Sequence, residues 1–254
     1  MKLLREVEAQ VNRPFADKLA ETKEVIRKHL DEFGDKCAVA FSGGKDSEIV
    51  LWLCLQQNPN IKVIFNNTGV EYPETVNFVA HLEKEWSLNL LVTHPEKTYW
   101  DCVEQYGFAQ GTKRGRAHNG IRKKANRAYC CYWLKEKPML KVLRTGLLGY
   151  FTGETAIESR QRMFASLKGI CIHLKAGGVC KVKPILWWKE AEVWQFLKDN
   201  NLPINIVYNW GAERVGCMPC TAHLKWEVQM QRINPKLYRI IKLRKDNQYV
   251  MTLE

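Results

Sequence analysis

The chain has 254 residues, 46% of them apolar and 26% charged, which excludes wholesale disorder and leaves material for a sizeable core. Lys and Arg number 39 against 27 Asp and Glu, a net charge of +12 that attracts polyanions without specifying a fold. No apolar run nears the ~20 residues of a membrane helix, and Lys2, Arg5, Glu6 and Glu8 place charge too early for a secretory signal. Nine cysteines could suggest a secreted disulfide scaffold, but such scaffolds are shorter and their cysteines usually even in number. A cytoplasmic protein with reduced thiols, some of them metal ligands, is expected.

In chain order, apolar positions at Phe15, Leu19, Val25, Ile26, Leu30 and Phe33 predict a helix over 15–33. The run Cys37–Phe41 predicts a buried strand that enters Ser42-Gly43-Gly44, followed by a helix over about 46–57. A strand over 61–65, a helix opened by Pro73 and running to Trp86, and a strand over 88–92 come next. Strands alternating with helices imply an α/β fold with a parallel, twisted sheet flanked by helices. Its binding crevice would lie beyond the carboxyl ends of the strands, where Ser42 and Asn66 sit.

Between Thr112 and Arg127 stand seven basic residues and no acidic ones, Lys113, Arg114, Arg116, Arg122, Lys123 and Lys124 among them. Glycines interrupt this stretch, which reads as a loop leading into a helix over about 132–144. A strand over 147–152 returns to the sheet. Residues 170–174 and 179–182 read as a hairpin, and 190–198 as a helix. A stretch punctuated by Pro and Gly then carries Cys217 and Cys220. One domain over 1–254 is expected, its core spanning about 35–165 and its hairpin and cysteine-rich portion about 166–254.

The segment Ser42-Gly43-Gly44-Lys45-Asp46-Ser47 lies between a buried strand and a helix. Glycines allow the backbone to turn closely around an oxyanion, and the helix start adds unpaired N–H donors. The Ser42 and Ser47 hydroxyls and the Lys45 charge are further candidate ligands. This loop is similar to the S-G-G-x-D-S pyrophosphate-binding loop of ATP pyrophosphatases, which cleave ATP between the α and β phosphates. Asn67-Thr68-Gly69-Val70-Glu71-Tyr72-Pro73-Glu74-Thr75 resembles the D-T-G-x-x-x-P-E-T segment of the phosphoadenosine phosphosulfate (PAPS) reductase family. Residues 152–162 resemble that family's T-G-x-R-x-x-E-S-x-x-R stretch, and Pro184-Ile185-Leu186-Trp187-Trp188 with Val193-Trp194 its P-I-x-x-W…V-W signature. Asn67 replaces the usual Asp, and Glu154-Thr155 replaces the x-Arg pair. The resemblance implies an adenine nucleotide alpha-hydrolase-like fold and nucleotide binding by Ser42–Ser47, Asn67, Thr68, Gly69, Gly153, Arg160 and Arg162. Lys45, Asp46 and Arg160 would be the catalytic residues.

Cys130-Cys131 and Cys217-Met218-Pro219-Cys220 form the remaining constellation. C-x-x-C lets two thiolates converge on one metal centre, either zinc or iron–sulfur, and alone would equally suit a redox pair. The C-C pair with a later C-x-x-C is similar to the [4Fe–4S]-binding pattern of adenylylsulfate reductases, so a [4Fe–4S] cluster on these four cysteines is expected. Cys37, Cys54, Cys102, Cys171 and Cys180 read mostly as small buried hydrophobes.

Sulfonucleotide reductases use a mobile cysteine near the C-terminus, and no cysteine follows Cys220 in this sequence. The expectation is therefore an ATP pyrophosphatase, with Mg²⁺ on the triphosphate, that adenylylates an acceptor for sulfur transfer. The family includes the ATP pyrophosphatase component of DNA phosphorothioation systems. The acceptor would be a nucleic acid held by the basic stretch, and the donor the cluster or a cysteine desulfurase. The alternatives are a PAPS or adenylylsulfate reductase using an external thiol, and a non-catalytic iron–sulfur subunit of a sulfur-transfer complex.

Overall fold

A computed structural model describes residues 2–112, 115–118, 128–174, 178–223 and 225–251. The chain divides into two compact units whose segments alternate along the sequence rather than meeting at one cut near 165. The first comprises 1–65, 77–93 and 140–205, the second 66–76, 94–139 and 206–254.

The first unit is built on a mixed, mostly parallel sheet. Its strands are β1 (Cys37–Phe41), β2 (Lys62–Asn66), β3 (Asn89–Thr93), β6 (Gly149–Thr152), β7 (Cys171–His173) and β8 (Cys180–Val182). Their order is β3-β2-β1-β6-β8-β7, with β1 parallel to both β2 and β6, β6 parallel to β8, and β7 antiparallel to β8. β1 is apolar throughout because helices cover both faces of a central parallel strand; Ala38 and Val39 are fully buried. Its neighbours β2 and β6 are reached by connections leaving in opposite directions. The crevice beyond its carboxyl end is therefore the switch point where α/β sheets bind ligands.

Helices α1 (Arg5–Val11), α2 (Phe15–Phe33), α3 (Lys45–Leu55) and α9 (Glu190–Asp199) belong to this unit. Lys18 on α2 is 1% exposed, and its ammonium donates to both oxygens of Glu192 on α9 at 2.6 and 2.7 Å and to Val11 O at 2.8 Å. A charge this deep is tolerable only when paired and hydrogen-bonded. Trp188 of the P-I-L-W-W run is buried and donates its indole N–H to Thr22 Oγ1 at 3.0 Å. These bonds seat α9, which carries residues facing the phosphate loop.

The second unit contains α5 (Tyr99–Tyr106), a two-stranded antiparallel ribbon of β4 (Ala109–Thr112) and β5 (Gly115–His118), and a helical stretch over 129–139. It ends in α10 (Trp226–Ile233) and α11 (Pro235–Met251). Its core gathers Tyr99, Cys102, Phe108, Leu134, Trp226 and Ile241. The helical stretch starts at Tyr129, earlier than its expected start near 132, and passes through a π-turn at Tyr132–Glu136. Pro138 explains the local chemistry: it has no N–H for the carbonyl four residues earlier, and Leu134 O instead accepts from Asn66 Nδ2 at 2.8 Å. Among the described residues, no helix is long and apolar enough to cross a membrane.

Candidate nucleotide loop and cysteine pocket

The loop at 42–47 is held in shape from within. Gly43 has φ 71°, a left-handed conformation natural to glycine. Ser47 Oγ donates to Gly44 O at 2.8 Å, while Ser42 contributes its N–H at 3.2 Å and its hydroxyl at 3.0 Å to Ser47 Oγ. The two hydroxyls therefore brace the turn, and the backbone N–H groups at the start of α3 remain as the natural anion donors. Asn205, fully buried, donates to Gly43 O at 3.0 Å from 162 residues away. Gly153 closes the other side: a Cβ there would lie 2.4 Å from Ser47 N and 2.5 Å from Asp46 C, so only glycine lets β6 approach the loop.

Lys45 is 8% exposed, 2.9 Å from Asp46 Oδ2 and 3.6 Å from Glu190 Oε1, with Trp194 5.8 Å beneath it. Its charge is thus pre-positioned by carboxylates that an incoming phosphate would compete with. Arg160 is exposed at the start of α8 (Arg160–Ser166), near the Phe164 ring. Arg162 is paired with Glu158, and Glu154, which stands at the family's x position, is paired with Lys181.

Glu48 lies one turn into α3, 1% exposed, and its Oε1 has no hydrogen-bond partner among the described residues. Burial pushes its carboxyl up to about 8. A group whose folded-state value is raised binds its proton more tightly when folded. Its stabilising contribution is complete below about 4.5 and is lost as pH rises through about 8. Glu48→Gln stays neutral throughout. Chemical denaturation should show the variant gaining on wild type across that window, by up to about 5 kcal/mol at the alkaline end.

In the second unit, Cys130, Cys131, Cys217 and Cys220 line one small pocket, together with Tyr99, Lys135 and Arg214. The C-x-x-C loop is bolted in place by three bonds. Tyr99 Oη donates to Pro219 O at 2.8 Å, Trp226 Nε1 to Met218 O at 2.8 Å, and Met218 N to Val70 O at 2.8 Å. Asn67, Thr68 and Gly69 belong to this unit. Asn67 Oδ1 accepts from Gly69 N at 2.9 Å, closing a turn that the usual Asp would close equally well. Thr68 donates to Glu71 Oε1 at 2.8 Å, and its hydroxyl lies 3.6 Å from Cys217 Sγ.

Burial raises the Cys217 thiol, and the Lys135 ammonium opposes that shift. Lys135 is itself held above its ordinary value: burial works against its charge, but Cys217 and Glu71, the latter 3.7 Å away, outweigh it. Lys135 and Arg214 thus offset the negative charge that thiolate ligation would bring. Four thiols with two cations beside them are a donor set that fits an iron–sulfur cluster.

Among the basic candidates, Lys113, Arg114, Arg122, Lys123 and Lys124 lie outside the described residues. Arg116 falls on β5, with no description of its side chain. Cys37, Cys54 and Cys102 are buried thiols, as expected. Cys171 and Cys180 correct the reading of inert hydrophobes, because the hairpin joins them in a disulfide. The register pairs His173 with Cys180 and Cys171 with Val182, so the two cysteines are diagonal neighbours on one face, with Cα atoms 6.2 Å apart.

A glycine-rich strand-to-helix loop at the switch point of a mostly parallel sheet, with a four-thiol pocket in a second unit, defines an α/β protein with a ligand crevice of the open-sheet type. Residues 36–223 match the phosphoadenosine phosphosulfate reductase domain, and the chain belongs to that family. An adenosine 5'-phosphosulfate reductase of Staphylococcus haemolyticus is 26% identical over 216 residues, 82% of each chain. An uncharacterized protein of Methanocaldococcus jannaschii is 28% identical over 84% of this chain, which spans about half (49%) of that relative's length. Among solved structures, the phosphate complex of a PAPS reductase from Candida auris aligns with TM-score 0.58 at 16% identity, covering 85% of this chain and 97% of that one. The U34-tRNA thiolase of Methanococcus maripaludis, solved with its [4Fe-4S] cluster, aligns with TM-score 0.53 at 18% identity, covering 92% and 80%.

Proposed function

We propose that the chain is an iron–sulfur-dependent ATP pyrophosphatase that adenylylates an acceptor for sulfur transfer to a nucleic acid. The observation that carries this reading is the coexistence of a braced anion loop and a pocket lined by four thiols in one chain. The first suits the pyrophosphate half of ATP and the second a [4Fe–4S] cluster. Cys130, Cys131, Cys217 and Cys220 would hold the cluster, which supplies reduced sulfur or electrons when bound. The thiolase neighbour, which carries a cluster and acts on tRNA, lends support.

The loop residues do the following work. The N–H groups of the 43–47 turn bind the departing pyrophosphate, whose charge the α3 dipole and Lys45 stabilise as the bond to the α phosphate breaks. Asp46 would hold the Mg²⁺, which when bound would screen the triphosphate charge. Arg160 is the exposed cation available to the α phosphate. An acceptor oxygen takes AMP and pyrophosphate leaves; a sulfide-level sulfur then displaces AMP, which departs with the acceptor oxygen. Where a cysteine desulfurase supplies that sulfur as a persulfide, an external dithiol gives the two electrons that free it from its carrier. Two substitutions test the loop. Asp46→Ala, which removes its carboxylate, and Ser47→Ala, which removes the brace that aims the backbone donors, should each lower pyrophosphate release by about 100-fold with iron content unchanged. Normal turnover in both would leave the loop without a catalytic role.

The adenylylsulfate reductase reading is favoured by relatives of that name covering 82% of both chains. Anaerobic protein incubated separately with ATP and with adenylylsulfate or PAPS separates the readings. Pyrophosphate from ATP supports the proposal, sulfite from the sulfonucleotide supports the reductase, and neither product leaves a non-catalytic iron–sulfur subunit.

A further inference from the structure

The Cys171–Cys180 disulfide is not alone on its face of the hairpin. A ring nitrogen of His29, from α2, and the two sulfurs lie within 4.8 Å of one another, and among the described residues this trio alone meets that criterion. His29 Nδ1 is 2.7 Å from Val25 O; a carbonyl only accepts, so Nδ1 carries the proton and Nε2 the lone pair. The backbone carbonyl thereby fixes the tautomer and orientation, as it does for metal-ligating imidazoles. Nε2 has no hydrogen-bond partner among the described residues. The ring is buried against Phe33 and Phe151, with centroids at 5.6 and 6.4 Å. Cys180 is fully buried, whereas Cys171 is half-buried and open to a reductant.

We propose that His29, Cys171 and Cys180 form a redox-gated binding site for Zn²⁺, separate from the four-cysteine pocket, which opens when the disulfide is reduced. The chemistry balances as follows. An external dithiol gives two electrons and two protons; its own S–S bond forms as the Cys171–Cys180 bond breaks, leaving two thiols. Zn²⁺ then takes both thiolates and the His29 imidazole, and the two thiol protons pass to solvent. Two sulfurs and one nitrogen are a donor set for zinc rather than for Mg²⁺ or Ca²⁺, and three protein ligands leave a fourth position for water. A small-molecule disulfide reverses the exchange, re-forming the Cys171–Cys180 bond and expelling the ion. Neither the nucleotide loop nor the iron–sulfur assignment enters this argument.

The test uses the full chain, reduced with dithiothreitol, desalted without oxygen, and titrated with Zn²⁺ against a chromophoric chelator. Because the four-cysteine pocket also binds metal, the reading is a difference between proteins treated alike. Wild type should take up about one equivalent more than C171S/C180S, and excess oxidised glutathione should release that equivalent as mass spectrometry shows the disulfide return. His29→Gln should still form the disulfide but bind the extra ion at least about tenfold more weakly. Equal uptake by wild type and C171S/C180S would overturn the proposal. So would unchanged affinity in His29→Gln, which keeps the test open should the double variant fail to fold. Retention of the extra zinc by the oxidised protein would overturn the gating.

Discussion

Serine at Cys217 or at Cys220 will yield a colourless protein, whereas the wild-type chain purified without oxygen will be brown and carry about four irons. The expectation follows from the pocket. Its four thiols come from two segments, and the C-x-x-C half is fixed by Tyr99, Trp226 and Val70 in a position that a hydroxyl would also occupy. Cys217→Ser therefore leaves the fold standing while exchanging a soft thiolate for a ligand of far lower iron affinity. Iron and acid-labile sulfide counts, the visible spectrum, and circular dichroism on the same samples give the answer together. Folded variants that keep full iron would remove these residues from the ligand set. Stoichiometric zinc without iron in the anaerobic wild type would replace the cluster by a single-ion site.

The elements surrounding the nucleotide loop were the most legible in sequence, and the reason is physical. A central parallel strand must be apolar on both faces, so Cys37–Phe41 reads as a strand without reference to anything distant, and Ser42–Ser47 follows as a turn into a helix. What braces that turn was not legible: Asn205 and Glu190 meet it only in three dimensions, and neither residue type marks its own role. Other elements left a signal that went unread. Thr98 and Asp101 form a capping box that opens α5. Trp226, Met230, Ile233, Leu237 and Ile241 recur at helical spacing through α10 and α11, in a stretch that looked irregular because Pro and Gly precede it. The hairpin of 170–174 and 179–182 is legible from its apolar runs and Gly-Gly turn, and its register carries further information. Setting His173 opposite Cys180 would have put Cys171 and Cys180 on one face and exposed them as partners. The four-cysteine pocket is legible as spacing, and Lys135 beside the C-C pair as a cation that offsets thiolate charge, whereas the place of Arg214 on the same pocket appears only in three dimensions.

Nucleic-acid affinity should fall steeply as salt is raised, with a log–log slope of about −0.7 to −0.9 for each phosphate neutralised. The basis is the run from Lys113 to Arg127, seven cations without an acid among them, on a chain of net charge +12. Replacing Arg122, Lys123 and Lys124 by Ala should remove up to three such contacts, flattening the slope by roughly 2 to 3 and weakening binding across all sequences alike, because backbone contacts position without specifying. ATP binding should change little, since its phosphates are assigned to the loop at 42–47, whose donors come from the backbone at the start of α3. A protein working on a small sulfonucleotide separates cleanly from this pattern. Its nucleic-acid binding would be weak from the start, and the triple substitution would instead raise KM for the small substrate. Fluorescence anisotropy with labelled RNA and single-stranded DNA between 50 and 300 mM salt, about the range over which six to ten contacts change affinity by several orders of magnitude, distinguishes the two. A shallow slope in the wild type, unchanged by the triple substitution, would transfer the basic run to small-substrate binding and the proposed function to the reductase.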